Sequence, residues 1–330
     1  MSRLAWIDYM KGIAIFLVVL SHSEGVPEWL EYSFRYIFLT SFFFASGYLF
    51  HNPLKTFDIK KKFLRITESI LIPYLIYWIA SFIVDKSLEG YSIDNIIKGL
   101  LGSLLEGKKL WFISCLLCAE IIMSVNLYIS KNPIYIFLSG IVSFIVWKIT
   151  DLSQPGVWYW CINIALLAYL YLAFGYSFKV YEPYISKYLK KNITGIVLLL
   201  GYGMLVYIDY QYFNNKVSFA LNCFSNIWYY ILCSFIGLGF LYCLYNRLKE
   251  NSVVIFLSLN SMLIYFYHNQ MLNLLKYASK LNIFDTVPEW GICIFQSVGT
   301  MLLVYIPIVI TNKYLPVLSG KSKWLSRKIA

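Results

Sequence analysis

The sequence predicts an all-α integral membrane protein, a bundle of about ten transmembrane helices with both termini in the cytoplasm. Three observations carry that expectation. Hydrophobic residues make up 59% of the 330 and charged residues only 14%, where a soluble domain uses roughly 25% to keep its surface in water; mean hydropathy is +0.64. The charges are clumped, which leaves uncharged runs long enough to cross about 30 Å of hydrocarbon at about 1.5 Å of helix rise per residue. The basic residues also divide unequally between the two sides that ten spans define, as an oriented membrane protein requires.

In chain order the apolar runs are 8–25, 34–51, 66–84, 110–129, 133–149, 157–178, 193–210, 221–245, 252–275 and 290–312. Loop signals punctuate them at Val26-Pro27, Asn52-Pro53, Asn132-Pro133, Gln154-Pro155-Gly156, Glu182-Pro183 and Val287-Pro288. Strand-scale alternation is absent, so the runs predict helices and not a barrel. The first run lacks a small-residue cleavage site and carries polar groups, so it is expected to be retained as the first transmembrane helix and not removed as a signal peptide. No internal repeat, low-complexity segment or soluble domain interrupts residues 1–330, which are expected to form a single transmembrane domain.

With these spans, one side holds the N-terminus, the 52–65 loop, Lys131, the 179–192 and 246–251 loops and the C-terminal tail. That side carries 19 of the 28 lysines and arginines, and the other carries 9 together with 11 of the 17 acids. The positive-inside rule puts the basic side in the cytoplasm. The net charge of +11 then follows from topology and attraction to anionic headgroups, and no nucleic-acid partner is expected. Seven cysteines all lie in apolar stretches. Cys115-Leu-Leu-Cys118 has metal or redox spacing, but with no second pair and no nearby histidine these read as small apolar packing residues, and no metal is expected.

An ionisable side chain in hydrocarbon costs on the order of 2.5 kcal/mol or more, so each one asks for a reason. The first helix holds Asp8, Lys11 and His22. Lys11 and His22 are eleven residues apart, about three turns, and so project from nearly the same face about 16 Å apart, with Asp8 one turn before Lys11. Imidazole suits proton transfer near neutral pH. The alternative is that Asp8 and Lys11 snorkel to the surface while His22 caps the outer end of the helix. Lys60-Lys61-Lys62-Phe63-Leu64-Arg65, just before the third helix, either anchors the chain to anionic lipid or supplies cations for a phosphate-rich ligand such as coenzyme A. Glu120, in the middle of the fourth helix, must be protonated, paired with a lysine or arginine, or wet. His268, in Tyr265-Phe266-Tyr267-His268-Asn269-Gln270, reads equally as an interhelical hydrogen-bonding residue or a catalytic one, and His51 as interfacial.

Several segments together resemble the integral-membrane acyltransferase 3 family, and in particular its fucose 4-O-acetylase-like branch. Ile7-Asp8-Tyr9-Met10-Lys11-Gly12 through Ser21-His22-Ser23 resembles the family's motif of a basic residue followed eleven positions later by histidine. Phe42-Phe43-Phe44-Ala45-Ser46-Gly47-Tyr48-Leu49-Phe50 is similar to its second-helix signature. Lys62-x-x-Arg65 with Pro73-Tyr74 following, Leu110-Trp111-Phe112-Ile113, and Leu257-Ser258-x-Asn260-Ser261-x-x-Ile264-Tyr265-x-x-His268 resemble further family segments. The chain departs from the pattern where Lys11 and Lys62 stand in place of common arginines, and where Phe38-Leu39-Thr40-Ser41 lacks a His-Met-Pro; the second departure leaves the acceptor open.

The resemblance implies a membrane O-acyltransferase, expected to be an O-acetyltransferase. It would move an acyl group from cytoplasmic acyl-CoA, acetyl-CoA for example, to a hydroxyl of a cell-surface glycan or lipid-linked sugar, in polysaccharide biosynthesis at the inner or plasma membrane. Acyl-CoA would be a co-substrate and no bound cofactor is implied. His22 and Lys11, with Glu120, are the expected catalytic residues; Lys61, Lys62 and Arg65 would hold the CoA phosphates; His268, Asn269 and Trp111 would contact the acceptor. The alternative is a polytopic transporter or flippase for a sugar or lipid-linked glycan, its intramembrane charges lining a pathway.

Overall fold

A computed structural model describes residues 4–51, 57–88, 99–100, 102–104, 106–281 and 284–321. The chain is an all-α membrane protein. Among the described residues the strand content is one short ladder, Val217–Ser218 with Cys223–Phe224. The long helices are α1 (Ala5–Ser21), α2 (Glu28–Phe34), α3 (Phe38–Phe50), α4 (Ile59–Ile66), α5 (Ile72–Leu88), α6 (Trp111–Ile129) and α7 (Pro133–Ile149). They continue with α8 (Ile162–Leu189), α9 (Asn192–Ile208), α10 (Ile227–Tyr245), α11 (Ser252–Leu259), α12 (Ser261–Ala278), α13 (Glu289–Leu303) and α14 (Tyr305–Tyr314). Six helical stretches among the described residues are long and apolar enough to cross a membrane: Ile59–Ile83, Trp111–Ile129, Tyr159–Leu189, Asn192–Phe213, Ile227–Tyr245 and Glu289–Tyr314. Pro133–Ile149 is apolar and 17 residues long.

Each apolar run of the sequence contains helix, although the eighth opens on the short strand Cys223–Phe224, and several other departures have local causes. The first helix ends at Ser21, before the end of its run at 25. The turn that follows closes on Gly25 at φ +70°, a left-handed conformation glycine adopts freely, and Pro27 cannot extend a helix backwards through its missing N–H. His22 is therefore the C-cap of α1. The basic cluster expected in a loop instead lies within α4, because the Asp58 side chain accepts the Lys61 N–H at 3.1 Å and caps the helix ahead of it. A π-helical turn at Thr67–Leu71 then joins α4 to α5. The ninth run is broken at Asn260, whose side-chain amide donates to the Phe256 carbonyl at 2.8 Å and so competes with the backbone ladder. The tenth breaks at Val304, one turn ahead of Pro307, which lacks the N–H that would bond the Leu303 carbonyl.

The chain forms two compact units, each discontinuous in sequence. The first comprises Met1–Ala45, Tyr181–Val217 and Phe224–Lys313. In it α1 lies against α11 at Gly12, where an added Cβ would stand 2.7 Å from the Val254 carbonyl oxygen, so glycine permits the approach. Trp6 meets Tyr242 of α10 edge-on at 5.0 Å. Helix α9 leaves Ile193, Val197, Leu200 and Met204 exposed; a surface of that kind is stable where lipid tails, and not water, cover it. The second unit comprises Ser46–Val180, Ser218–Cys223 and Tyr314–Ala330. Its centre is α8, buried almost all round from Asn163 to Phe178, and Gly47 packs so closely that a Cβ there would overlap the Leu172 carbonyl. Cys115 and Cys161 are buried here, and the Cys118 thiol donates to the Trp160 carbonyl at 3.4 Å.

Candidate active site

In the first unit, two imidazoles meet at the end of α1. His22 is exposed at the helix cap and its ring centroid lies 5.4 Å from that of His268, the planes tilted by 38°. His268 is 1% exposed, held on α12 with Nδ1 2.7 Å from the Tyr265 carbonyl. Its Nε2 is buried without a hydrogen-bond partner among the described residues. The turn that carries His22 is pinned by Gln296 of α13, which is fully buried: its amide oxygen accepts the Glu24 backbone N–H at 2.8 Å, and its amide nitrogen donates to the Glu24 carboxylate at 2.9 Å and to Ser279 at 3.0 Å. Lys276, on α12 two turns beyond His268, interacts electrostatically with His22. Asn269, the residue after His268, is exposed.

In the N-terminal half of α1, Lys11 is half-buried and Asp8 buried. Tyr9 ties this end down: its hydroxyl donates to the Lys249 carbonyl at 3.0 Å and its ring stacks on Tyr245 at 5.5 Å. Lys11 thus lies just before the middle of the 17-residue helix, and His22 caps its C-terminal end.

In the second unit, Glu120 has a partner. Lys62 Nζ lies 3.2 Å from one carboxylate oxygen and the Ser46 hydroxyl donates to the other at 2.6 Å. Of the three states open to a carboxylate in mid-helix, the pairing with lysine holds. The same ammonium sits 3.4 Å from the centre of the Phe50 ring, within cation–π range. Nearby in sequence, Lys179 donates to the Tyr48 hydroxyl at 2.6 Å. Ser46, Tyr48 and Phe50 all come from the phenylalanine-rich segment of α3. On α4 the Lys62 side chain is 20% exposed, whereas that of Lys61 is 79% exposed and Arg65 is exposed. Trp111 is half-buried at the start of α6 against Phe112. His51 meets Tyr176 edge-on at 5.4 Å.

The structure therefore brings His22 together with His268, and Lys62 together with Glu120 and Ser46. It also holds a buried network that the sequence reading missed. Asp209 is 0% exposed and receives Arg35, the Tyr36 hydroxyl and the Asn215 amide, while the Arg35 guanidinium lies 3.5 Å from the centre of the Tyr32 ring. The available signal was that Asp209 closes an uncharged run and Arg35 opens another. Gln296 was missed as well, since a lone glutamine in an apolar run has no periodicity to announce it.

Apolar helices with buried, partnered charges among them define a membrane protein. A family model described as an acyltransferase domain matches residues 4–310, and the chain belongs to this acyltransferase 3 family. It is a membrane acyltransferase, which sets the transporter alternative aside. No curated protein and no solved structure matches the chain.

Proposed function

We propose that the protein is an O-acetyltransferase of the inner or plasma membrane that moves the acyl group of cytoplasmic acyl-CoA to a hydroxyl of a cell-surface glycan or lipid-linked sugar. The observation that carries this reading is the imidazole pair at one end of α1, on a chain whose family is an acyltransferase domain. His22 acts as general base on the acceptor hydroxyl or as transient carrier of the acyl group. Lys11 steadies the thioester or the oxyanion that develops from it. With Lys62 engaged by Glu120, the CoA phosphates fall chiefly to Lys61 and Arg65, and Glu120 serves to orient Lys62. His268 and Asn269 contact the acceptor. Residues 1–330 work in this reading as a single acyltransferase domain spanning the membrane many times.

The test is acetylation of the host's surface glycan, read by mass, in cells carrying wild-type protein or the His22→Ala or Lys11→Ala variant. Each variant is expected to insert at wild-type levels and lose at least a hundredfold of the acetylation, as removal of a general base or oxyanion group does. Wild-type acetylation by either variant would overturn the role given to that residue.

A further inference from the structure

His268 enters the proposal above only as a residue beside the acceptor, and its hydrogen bonding says more. A backbone carbonyl only accepts, so the 2.7 Å contact of Nδ1 with Tyr265 places the proton of the neutral ring on Nδ1 and leaves a lone pair on Nε2. That lone pair is buried and has no partner among the described residues. A buried polar atom left unpaired costs about 1–3 kcal/mol, so an apolar or singly hydrogen-bonding side chain would serve the packing better. The ring also stands 5.4 Å from the His22 ring, centroid to centroid, on a turn that Gln296 holds in place through Glu24.

We propose that His268 Nε2 is the second proton-handling atom of the reaction, taking the proton of the acceptor hydroxyl and passing it to His22. The inference rests on the acyl-transfer reading and commits to the acyl-carrier form of His22. An acyl group withdraws electron density from an imidazole ring, which leaves its other nitrogen a poor base, so the second step calls for a second base. In the first step a His22 ring nitrogen attacks the thioester carbon. A C–N bond forms, the C–S bond breaks with its electron pair going to sulfur, and the departing thiolate takes the other ring proton of His22 to leave as the CoA thiol. In the second step the acceptor oxygen attacks the acyl carbon while its proton moves to His268 Nε2. The C–N bond breaks with its pair returning to His22, and His268 hands the proton to that ring. Both histidines end as they began, and the products are the ester and the CoA thiol. Among the described residues Lys276 interacts electrostatically with His22, and the Glu24 carboxylate, two residues along the chain, is engaged by the Gln296 amide.

His268→Asn separates this role from a structural one. Asparagine places an amide N–H where Nδ1–H stands, so the Tyr265 bond is retained, and it has nothing at the position of Nε2. The purified variant in lipid nanodiscs is expected to melt with the wild type, to release CoA from acetyl-CoA in a single-turnover burst of wild-type size, and to keep radiolabel from the acetyl group on the protein. In cells its glycan acetylation is expected to fall about a hundredfold or more. The label must vanish in the His22→Ala/His268→Asn double variant. Acetylation within threefold of wild type in His268→Asn would overturn the proposal, as would loss of the CoA burst along with the transfer. If the asparagine variant does not accumulate, His268→Gln is read by the same measurements. Wild-type protein that neither releases CoA nor acetylates glycan would sink the acyl-transfer reading itself, a different result from either of these.

Discussion

A carboxylate survives in hydrocarbon only where its charge is answered, and Glu120 is answered twice, by Lys62 and by Ser46. Breaking a buried pair from one side leaves the other charge stranded and costs about 3–5 kcal/mol. Glu120→Ala is therefore expected to lower the melting temperature in detergent markedly, since it leaves the Lys62 ammonium against the Phe50 ring without the carboxylate. The double variant Lys62→Met/Glu120→Met should regain much of that loss. If the double variant melts no higher than Glu120→Ala, the pair is not the source of the stability. The exposed cations on the same helix behave differently, because solvent screens them. Lys61→Ala and Arg65→Ala should leave the stability within about 0.5 kcal/mol of wild type. Under the proposed role they should weaken acyl-CoA binding, measured by titration calorimetry, by about tenfold at low salt and less at high salt. An unchanged affinity for both variants would remove the CoA phosphates from α4.

At the scale of the helix, the close contact of α1 with α11 turns on a single missing methyl. A Cβ at Gly12 would stand 2.7 Å from the Val254 carbonyl oxygen, which is backbone and cannot swing away, whereas a Cβ at Gly203 on α9 meets nothing within 4 Å. Alanine raises intrinsic helix stability over glycine by roughly 0.5–1 kcal/mol, so the two substitutions have opposite signs. Gly203→Ala should hold or slightly raise the melting temperature. Gly12→Ala should lower it and lower activity with it, because α1 carries both Lys11 and His22. Equal effects at the two positions would show that α1 and α11 are not so closely packed. The helices themselves were readable in the sequence, because a span of about 20 apolar residues is set by the bilayer and not by its neighbours. Their interruptions were less so: the Asn260 break depends on a side chain choosing its own backbone over the ladder, and the end of α1 on a glycine entering the left-handed region. Long-range pairs were unreadable. Arg35 and Asp209 lie 174 residues apart, and no local pattern joins them. Lys11, His22 and the need of Glu120 for a partner were legible because each is a polar group in apolar surroundings, while the identity of that partner waited on the fold.

For the molecule as a whole the quantity that would orient it is the distribution of cations, which the ten-span reading of the sequence divides 19 on the side of the termini against 9 on the other. Each lysine or arginine near an anionic leaflet gains about 1 kcal/mol, and translocating such a loop is opposed during insertion, so the excess strongly favours one orientation. In that orientation the proposed function has Lys11 on the cytoplasmic side with the acyl donor, and the His22 end of α1 toward the opposite face and the acceptor. The order matters chemically: with the orientation reversed, the histidine pair would sit on the side that holds the donor and Lys11 on the side that does not. Fusion of a fluorescent protein after Ala330 should therefore give bright cells in a Gram-negative host, while alkaline phosphatase fused after Lys216 should be active, because that enzyme folds only outside the cytoplasm. A dark C-terminal fusion together with an inactive phosphatase would invert the topology. Acyl-CoA would then have to reach the protein from the histidine end, and the roles given to Lys11 and His22 would have to be exchanged.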